Sequence, residues 1–377
     1  MKNRSKPRDF FVRRLIPLLF MPLAWVLFTG AGFKSLSLSG KAMGTGWRLT
    51  AVIPRPSPSG GPPDLDARAA RTRSVIERRL EQISQSMSIH RPDSEISLFN
   101  AWTGPGPFPV SEDMARVMEG AISLHRLTRG AWDGSLKPLA DLWGFGSSGT
   151  RKTPPGDEEI RRLRSDVGFH LIEIIPLPGR DAPGTDKRRF KSRALKKKRP
   201  GVQIDLSSIA KGYALDMAAG DLRANGVTDF ILEAGGEIVA SGLRKDGGMW
   251  RVGVQSPIRG APAGSARKIV ALKDMAMATS GDYRLFFKHG GAYYSHILDP
   301  GTGRPARSAA AAASVIAPNA MMADGLATAL LVMGRKKGVR LINRLRGVEC
   351  MVIERKNGRL TDYYSKGFDT FVIRGRK

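Results

Sequence analysis

Short apolar segments of strand length follow one another through the second half of the chain, and they decide the fold class. Phe230-Ile231-Leu232, Ile238-Val239-Ala240 and Trp250-Arg251-Val252-Gly253-Val254 are followed by segments at 268–272, 275–279, 293–298 and 312–317. Val202-Gln203-Ile204-Asp205-Leu206 precedes them as a further expected strand. So many strands outnumber what repeating βαβ units supply, so the expected architecture is α+β, with largely antiparallel sheets and packed helices. No tandem repeat interrupts this reading.

Helices are expected at three places. Leu65, Ala69, Ile76, Leu80, Ile83 and Met87 recur at helical spacing and predict a helix over 65–87. Ser111 is a cap candidate with Glu112 and Asp113 in the following turn; this second helix buries Met114, Val117, Met118, Ala121 and Leu124 and stops before Gly130. Ser207 and Ser208 are expected to cap a third, carrying Ile209, Leu215, Met217, Ala218 and Leu222 and ending at Gly226. Pro54 to Pro63 is a loop by its proline and glycine content.

The charge balance bears on partners. With 61 Lys and Arg against 34 Asp and Glu, the formal charge is +27, and the surface field draws anions such as phosphates, nucleic acid or anionic lipid. Residues 180–199 concentrate ten of these cations against Asp181 and Asp186 and read as a solvated basic insertion between strands. It has no aromatic beyond Phe190, whereas nucleic-acid surfaces interleave aromatics with cations. At the N-terminus, Lys2, Arg4, Lys6, Arg8, Arg13 and Arg14 precede an uncharged run of 19 residues from Leu15 to Phe33. Residues 1–34 therefore read as a signal peptide or membrane anchor, with membrane association through residues 15–33 and the rest of the chain exported to the periplasmic side. No Cys follows the run, which excludes a lipoprotein anchor.

Cys350 is the one cysteine, so an intramolecular disulfide, a cysteine zinc site and an iron–sulfur cluster are excluded. It lies in an apolar run and is expected to be a buried, inert thiol. The five histidines show no His-Glu-x-x-His pattern, which argues against a zinc hydrolase. Chemistry is expected instead from two oxygen-rich stretches. Asp205-Leu206-Ser207-Ser208-Ile209-Ala210-Lys211 sets a carboxylate, hydroxyls and a lysine around a helix start, a corner that suits an anionic oxygen or a cation bridging to one. Asp324 and Thr328, spaced i,i+4, lie on one helix face, and two hard oxygen donors so close suit Mg²⁺. Read alone, the first stretch is equally a plain helix cap and the second an acid near a helix start. Glycine turns at Gly235-Gly236, Gly281, Gly301-Gly303 and Gly144-Gly146 permit close backbone approach, but none forms a Walker A loop or a dinucleotide fingerprint.

Taken in order, the pieces resemble the ApbE family of FAD:protein FMN transferases, from about residue 41 to 334. They are Met43-Gly44-Thr45, Arg91-Pro92-Asp93-Ser94-Glu95, Gly130-Ala131-Trp132-Asp133, Leu142-Trp143-Gly144-Phe145-Gly146, Asp205 through Tyr213, Gly235-Gly236, Thr279-Ser280-Gly281-Asp282-Tyr283-Arg284, Ser295-His296-Ile297-Leu298-Asp299-Pro300 and Ala323-Asp324 with Leu326-Ala327-Thr328. The resemblance implies an ApbE-like domain over 41–375 and Mg²⁺-dependent splitting of FAD. FMN then passes by a phosphoester to a Thr or Ser of an acceptor protein, expected to be a membrane redox subunit, and AMP leaves. By matching motif, flavin contacts fall on Met43, His90, Ala131, Trp132, Asp133, Asp205, Lys211 and Leu298. The metal falls on Asp324, Thr328 and an oxygen of Ser208. His296 is implied as the base for the acceptor hydroxyl, with Asp282 the next candidate. His90 stands where the family usually has an aromatic, and Lys137 puts a cation near the pocket.

Two alternatives stand beside this reading. Water in place of the acceptor hydroxyl would make the same site an FAD pyrophosphatase yielding FMN and AMP. A protein whose basic surface binds nucleic acid or anionic lipid would show salt-dependent affinity and no dependence on Asp324; the remaining charge shows no obvious stripe, and no nucleic-acid partner is expected.

Overall fold

The computed structural model describes residues 33–54, 65–147, 151–177, 193–258 and 266–374. The first half runs β1 (Phe33–Ala42), β2 (Thr45–Pro54), α1 (Leu65–Met87), α2 (Glu95–Ala101), β3 (Phe108–Val110), α3 (Glu112–Leu127), α4 (Lys137–Leu142), α5 (Asp157–Arg164), β4 (Ile172–Pro176) and β5 (Arg193–Lys197). The second runs α6 (Ser207–Ala224), β6 (Phe230–Ala234), β7 (Glu237–Ser241), β8 (Trp250–Gln255), β9 (Ala266–Leu272), β10 (Met275–Gly281), β11 (Phe286–His289), β12 (Ala292–Ser295), β13 (Leu298–Asp299), β14 (Arg304–Pro305), β15 (Ala310–Ala317), α7 (Ala320–Ile342), β16 (Glu349–Lys356) and β17 (Arg359–Tyr364).

The fold is α+β around an eight-stranded sheet of order β1-β2-β6-β7-β10-β15-β16-β17, antiparallel at every ladder. Helices α1, α6 and α7 cover one face, and the β8–β9 hairpin packs its Trp250, Val252, Val254, Val270 and Leu272 on the other. Strand β15 shows why its sequence is apolar without alternation. Ala313, Val315 and Ala317 join the helix-side core while Ala312 and Ile316 join the hairpin side, so all eight of its residues are buried.

Helix α1 spans 65–87 as its periodicity predicts, burying Ile76, Leu80, Ile83 and Met87. Helix α3 follows Ser111, whose hydroxyl accepts from the Met114 N–H, and ends before Gly130, which takes a left-handed φ of 80°. Cys350 is fully buried, and that burial pushes its thiol up to about 12.

Four expectations need correction. Residues 202–206 join no sheet: the Asn100 amide donates to the Ile204 carbonyl and accepts from its N–H (2.8 and 2.7 Å), and the Asp205 N–H goes to the Gly134 carbonyl (2.7 Å). A side chain and a loop thus take the bonds a neighbouring strand would have made. Ser207 and Ser208 lie inside α6, with Leu206 at the cap position; Asp205 supplies the capping acceptor to the Ser207 N–H at 2.8 Å. The basic stretch is not wholly a loop, because Arg193–Lys197 is the central strand of the sheet β3-β5-β4, with Ala194 and Leu195 buried. Long cationic side chains keep their heads in water while a strand packs beneath them, so charge density hid it. Finally, 293–298 is two strands, β12 and β13, with His296 in the break.

The N-terminal segment 1–32, most of the 54–63 loop and residues 180–192 of the basic stretch lie outside the described residues. Among the described residues no helix is long and apolar enough to cross a membrane.

Candidate active site

Helices α6 and α7 cross closely, and their contact builds the floor of a cavity of about 290 Å³. Gly212 and Gly325 permit the approach: a β-carbon on Gly212 would stand 2.4 Å from the Ala320 carbonyl oxygen, and one on Gly325 would stand 2.9 Å from Ile209 of α6 and 2.1 Å from Leu124 of α3. Asp216 of α6 fastens the start of α7 by accepting from the Ala320 and Met321 N–H groups at 2.7 and 2.9 Å. Burial pushes its carboxyl up to about 6 despite those bonds. The crossing carries Ser208 and Lys211 from α6 and Asp324 and Thr328 from α7 into one cavity, which also takes Ala131, Trp132, Asp133, Asp205, His296 and Leu298.

The oxygen donors are held by neighbours rather than free to rotate. Trp132 is buried, and its indole Nε1–H donates to the Ser208 hydroxyl at 2.9 Å. The Thr328 hydroxyl lies 3.0 Å from that of Ser280 on β10. Asp324 is 3% exposed, and among the described residues its carboxylate accepts only a long 3.4 Å bond, from the Gly212 N–H. Burial holds the Asp324 carboxyl well above the ordinary carboxylate range, opposed by Lys211 and reinforced by Glu237. Burial alone would depress the Lys211 ammonium, but Asp324 and Glu237 outweigh it and raise it. Asp133 accepts from the Ser135 N–H at 2.8 Å, and burial raises its carboxyl too.

His296 takes its place in the break between β12 and β13, where its Nδ1 meets the Leu285 carbonyl at 3.0 Å. A carbonyl only accepts, so Nδ1 carries the proton and the neutral ring leaves Nε2 as an acceptor. Burial of the ring holds its pKa below 6.5, which keeps that acceptor at neutral pH.

Met43 and His90 do not line this cavity. They face a neighbouring groove of about 1000 Å³, bounded by the β1–β2 turn and the end of α1. Met43 and Gly44 form that turn with φ of 50° and 71°, a two-residue reversal matched to the twist of a hairpin. Ser207 and Lys211 border both spaces and mark where they adjoin. Asp282 is also outside: it is gripped by the Arg355 guanidinium at 2.9 and 3.2 Å and faces a separate small cavity. Lys137 does reach the cavity wall, but Asp141 pairs with it at 2.5 Å and offsets the cation.

Two further lining residues, Arg284 and Glu237, carry no site role in the sequence reading. Arg284 donates to the Gly235 carbonyl at 3.0 Å and adds a second cation to Lys211. Glu237, 3% exposed, lies 3.6 Å from the Lys211 ammonium. The signal for Glu237 was an acid opening an otherwise apolar strand just after Gly235-Gly236.

The model of the ApbE family matches residues 43–352. The FAD:protein FMN transferase of Vibrio cholerae is 35% identical over 339 residues, 90% of this chain and 93% of that protein. The protein of the same name from Haemophilus influenzae is 33% identical over 87% of this chain and 89% of its own length. Among solved structures, the flavin transferase ApbE of Vibrio cholerae superposes with a TM-score of 0.74 at 33% identity, covering 90% of this chain and 99% of its own. The Pseudomonas stutzeri flavinyl transferase ApbE in its apo form gives 0.75 at 31% identity, covering 91% and 98%.

Proposed function

This chain belongs to the ApbE family and is an FAD:protein FMN transferase, and from that premise we propose how its residues divide the work. The observation that carries the reading is the convergence of Asp324, Thr328, Ser208, Lys211 and His296 on one cavity, from segments far apart in the chain. The donor set fits a hard divalent cation: one buried carboxylate with a single weak N–H partner, and two hydroxyls fixed by neighbours. Asp324, Thr328 and Ser208 would hold Mg²⁺. Bound there, Mg²⁺ supplies charge neutralisation at the pyrophosphate of FAD.

The protein's own groups do the rest. Trp132 and Leu298 offer apolar surface to the flavin, with Ala131, Asp133 and Asp205 around it. Met43 and His90 border the groove into which the far end of FAD extends. Lys211, where the two spaces adjoin, meets the pyrophosphate in between. A Thr or Ser hydroxyl is a weak nucleophile until deprotonated, and His296 Nε2 is the acceptor for that proton. The hydroxyl oxygen bonds to the phosphorus of the FMN half as the bond to the AMP half breaks, and AMP leaves. The acceptor is a protein at the membrane with a redox role, reached on the periplasmic side through the N-terminal segment.

The test is incubation of the full chain with FAD, Mg²⁺ and candidate acceptor proteins, followed by in-gel flavin fluorescence. A fluorescent acceptor band that needs both Mg²⁺ and Asp324 supports the reading. FMN and AMP released with no labelled acceptor would turn it to hydrolysis.

A further inference from the structure

Glu237 is a buried carboxylate with almost nothing to hold it except one lysine. It opens β7, and only 3% of the residue is exposed. Its Oε1 lies 3.6 Å from Lys211 Nζ, while Oε2 is buried with no hydrogen-bond partner. No other cation pairs with it among the described residues. A buried charge is tolerated only when paired, so Glu237 and Lys211 are bound to each other energetically as well as in space.

The lysine's other restraints point the same way. Its ammonium donates to the Ser207 carbonyl at 3.1 Å, and its side chain packs near Gly235, whose left-handed φ of 66° leaves no β-carbon in the gap. A β-carbon there would stand 3.1 Å from Glu237 Oε2 and 3.4 Å from Lys211 Cδ. Lys211 is thus clamped between a carbonyl and a carboxylate while lining both the 290 Å³ cavity and the 1000 Å³ groove.

We infer that Glu237 is a positioning residue: it holds the Lys211 ammonium at the border shared by the two spaces, on the path of the FAD pyrophosphate. The inference rests on the proposed placement of FAD across both spaces. Positional errors of about 1 Å in such a group cost on the order of 10²-fold in rate.

The experiment is a double-mutant cycle of Glu237→Gln and Lys211→Met in the full chain, with Glu237→Asp as the conservative variant. Transfer kcat and KM for FAD are measured alongside the affinities for FAD and for riboflavin, which lacks phosphates. Glu237→Gln is expected to lower kcat/KM by roughly 10- to 100-fold, to weaken FAD, and to leave riboflavin affinity within about twofold. Glu237→Asp should recover part of the loss, and in the Lys211→Met background Glu237→Gln should add less than about twofold. Equal losses in both backgrounds, or riboflavin affinity falling with that of FAD, would overturn the inference and leave Glu237 as a wall residue. Wild-type chain that binds FAD but labels no acceptor would count against the transfer reading alone, because the binding arms of the cycle still test Glu237.

Discussion

The Gly212 N–H of α6 reaches across the helix crossing to the Asp324 carboxylate of α7 at 3.4 Å, and this contact joins the two halves of the candidate metal site. It exists because position 212 carries no side chain, in a place where a β-carbon would meet backbone atoms 2.4 to 2.7 Å away. Backbone cannot swing aside as a flexible side chain can.

Gly212→Ala should therefore push α6 and α7 apart rather than be absorbed locally. A loss of about 1–3 kcal/mol in stability is expected, the usual cost of overpacking. Mg²⁺ dependence should shift to higher concentration because Ser208 and Asp324 separate. Urea unfolding and a Mg²⁺ titration of transfer check both, and a variant unchanged in each would show that the crossing is looser than its geometry.

His296 and Asp324 should fail differently. Asp324→Ala removes the charged ligand, so FAD splitting and flavin transfer should fall together, with excess Mg²⁺ restoring only part. His296→Ala should leave FAD binding near normal while transfer drops by roughly 10²–10⁴. Fluorescence quenching with FAD, measured beside transfer rates, separates the two. A parallel loss of FAD affinity in both variants would make His296 a cofactor-holding residue.

The pH profile follows from the direction of the His296 shift. Burial of the ring favours its neutral form and holds its pKa below 6.5, and the neutral form is the one that accepts a proton. Transfer should accordingly be flat through neutral pH and fall only as pH drops below that lowered value. His296→Ala should lose this acid limb, and its residual rate should climb with pH as hydroxide takes over. An acid limb that persists in the variant would assign it to another group.

Residues 180–192 and 193–197 should behave oppositely, although both are basic. Replacing 180–192 with a short Gly/Ser linker should leave transfer within a few-fold, since that run lacks apolar content to dock. Leu195→Asp should instead cost several kcal/mol, because it buries an unpaired charge in the central strand of a three-stranded sheet. Thermal unfolding and activity of the two variants decide it.

Cys350 provides a reporter of global unfolding. Its thiol is buried and pushed up to about 12, so at pH 8 almost no thiolate forms and no reagent reaches it. Reaction with a disulfide reagent should be negligible in native buffer and complete in denaturant, at a rate set by opening of β16 and its neighbours. Rapid native labelling would mean that this edge of the sheet opens locally.

The amino-acid sequence by itself determined the local elements and the chemical vocabulary. The 3.6-residue recurrence of Ile76, Leu80 and Ile83 specified α1 over its observed length, and the Ser111 cap specified where α3 begins, because both signals act within a turn or two of chain. The hydroxyls and carboxylates of the 205–211 and 324–328 stretches were legible for the same reason. What only the tertiary structure decided depends on partners distant in the chain. Residues 202–206 look like a strand locally, but Asn100 and Gly134 take their backbone bonds. Glu237 looks like any strand-end acid until β7 buries it beside Lys211. Asp282 shares its motif with Arg284, yet Arg355 turns it away from the cavity that Arg284 lines. In each case burial and pairing set the side chain's role, and they arise only when the sheet and the helix crossing assemble.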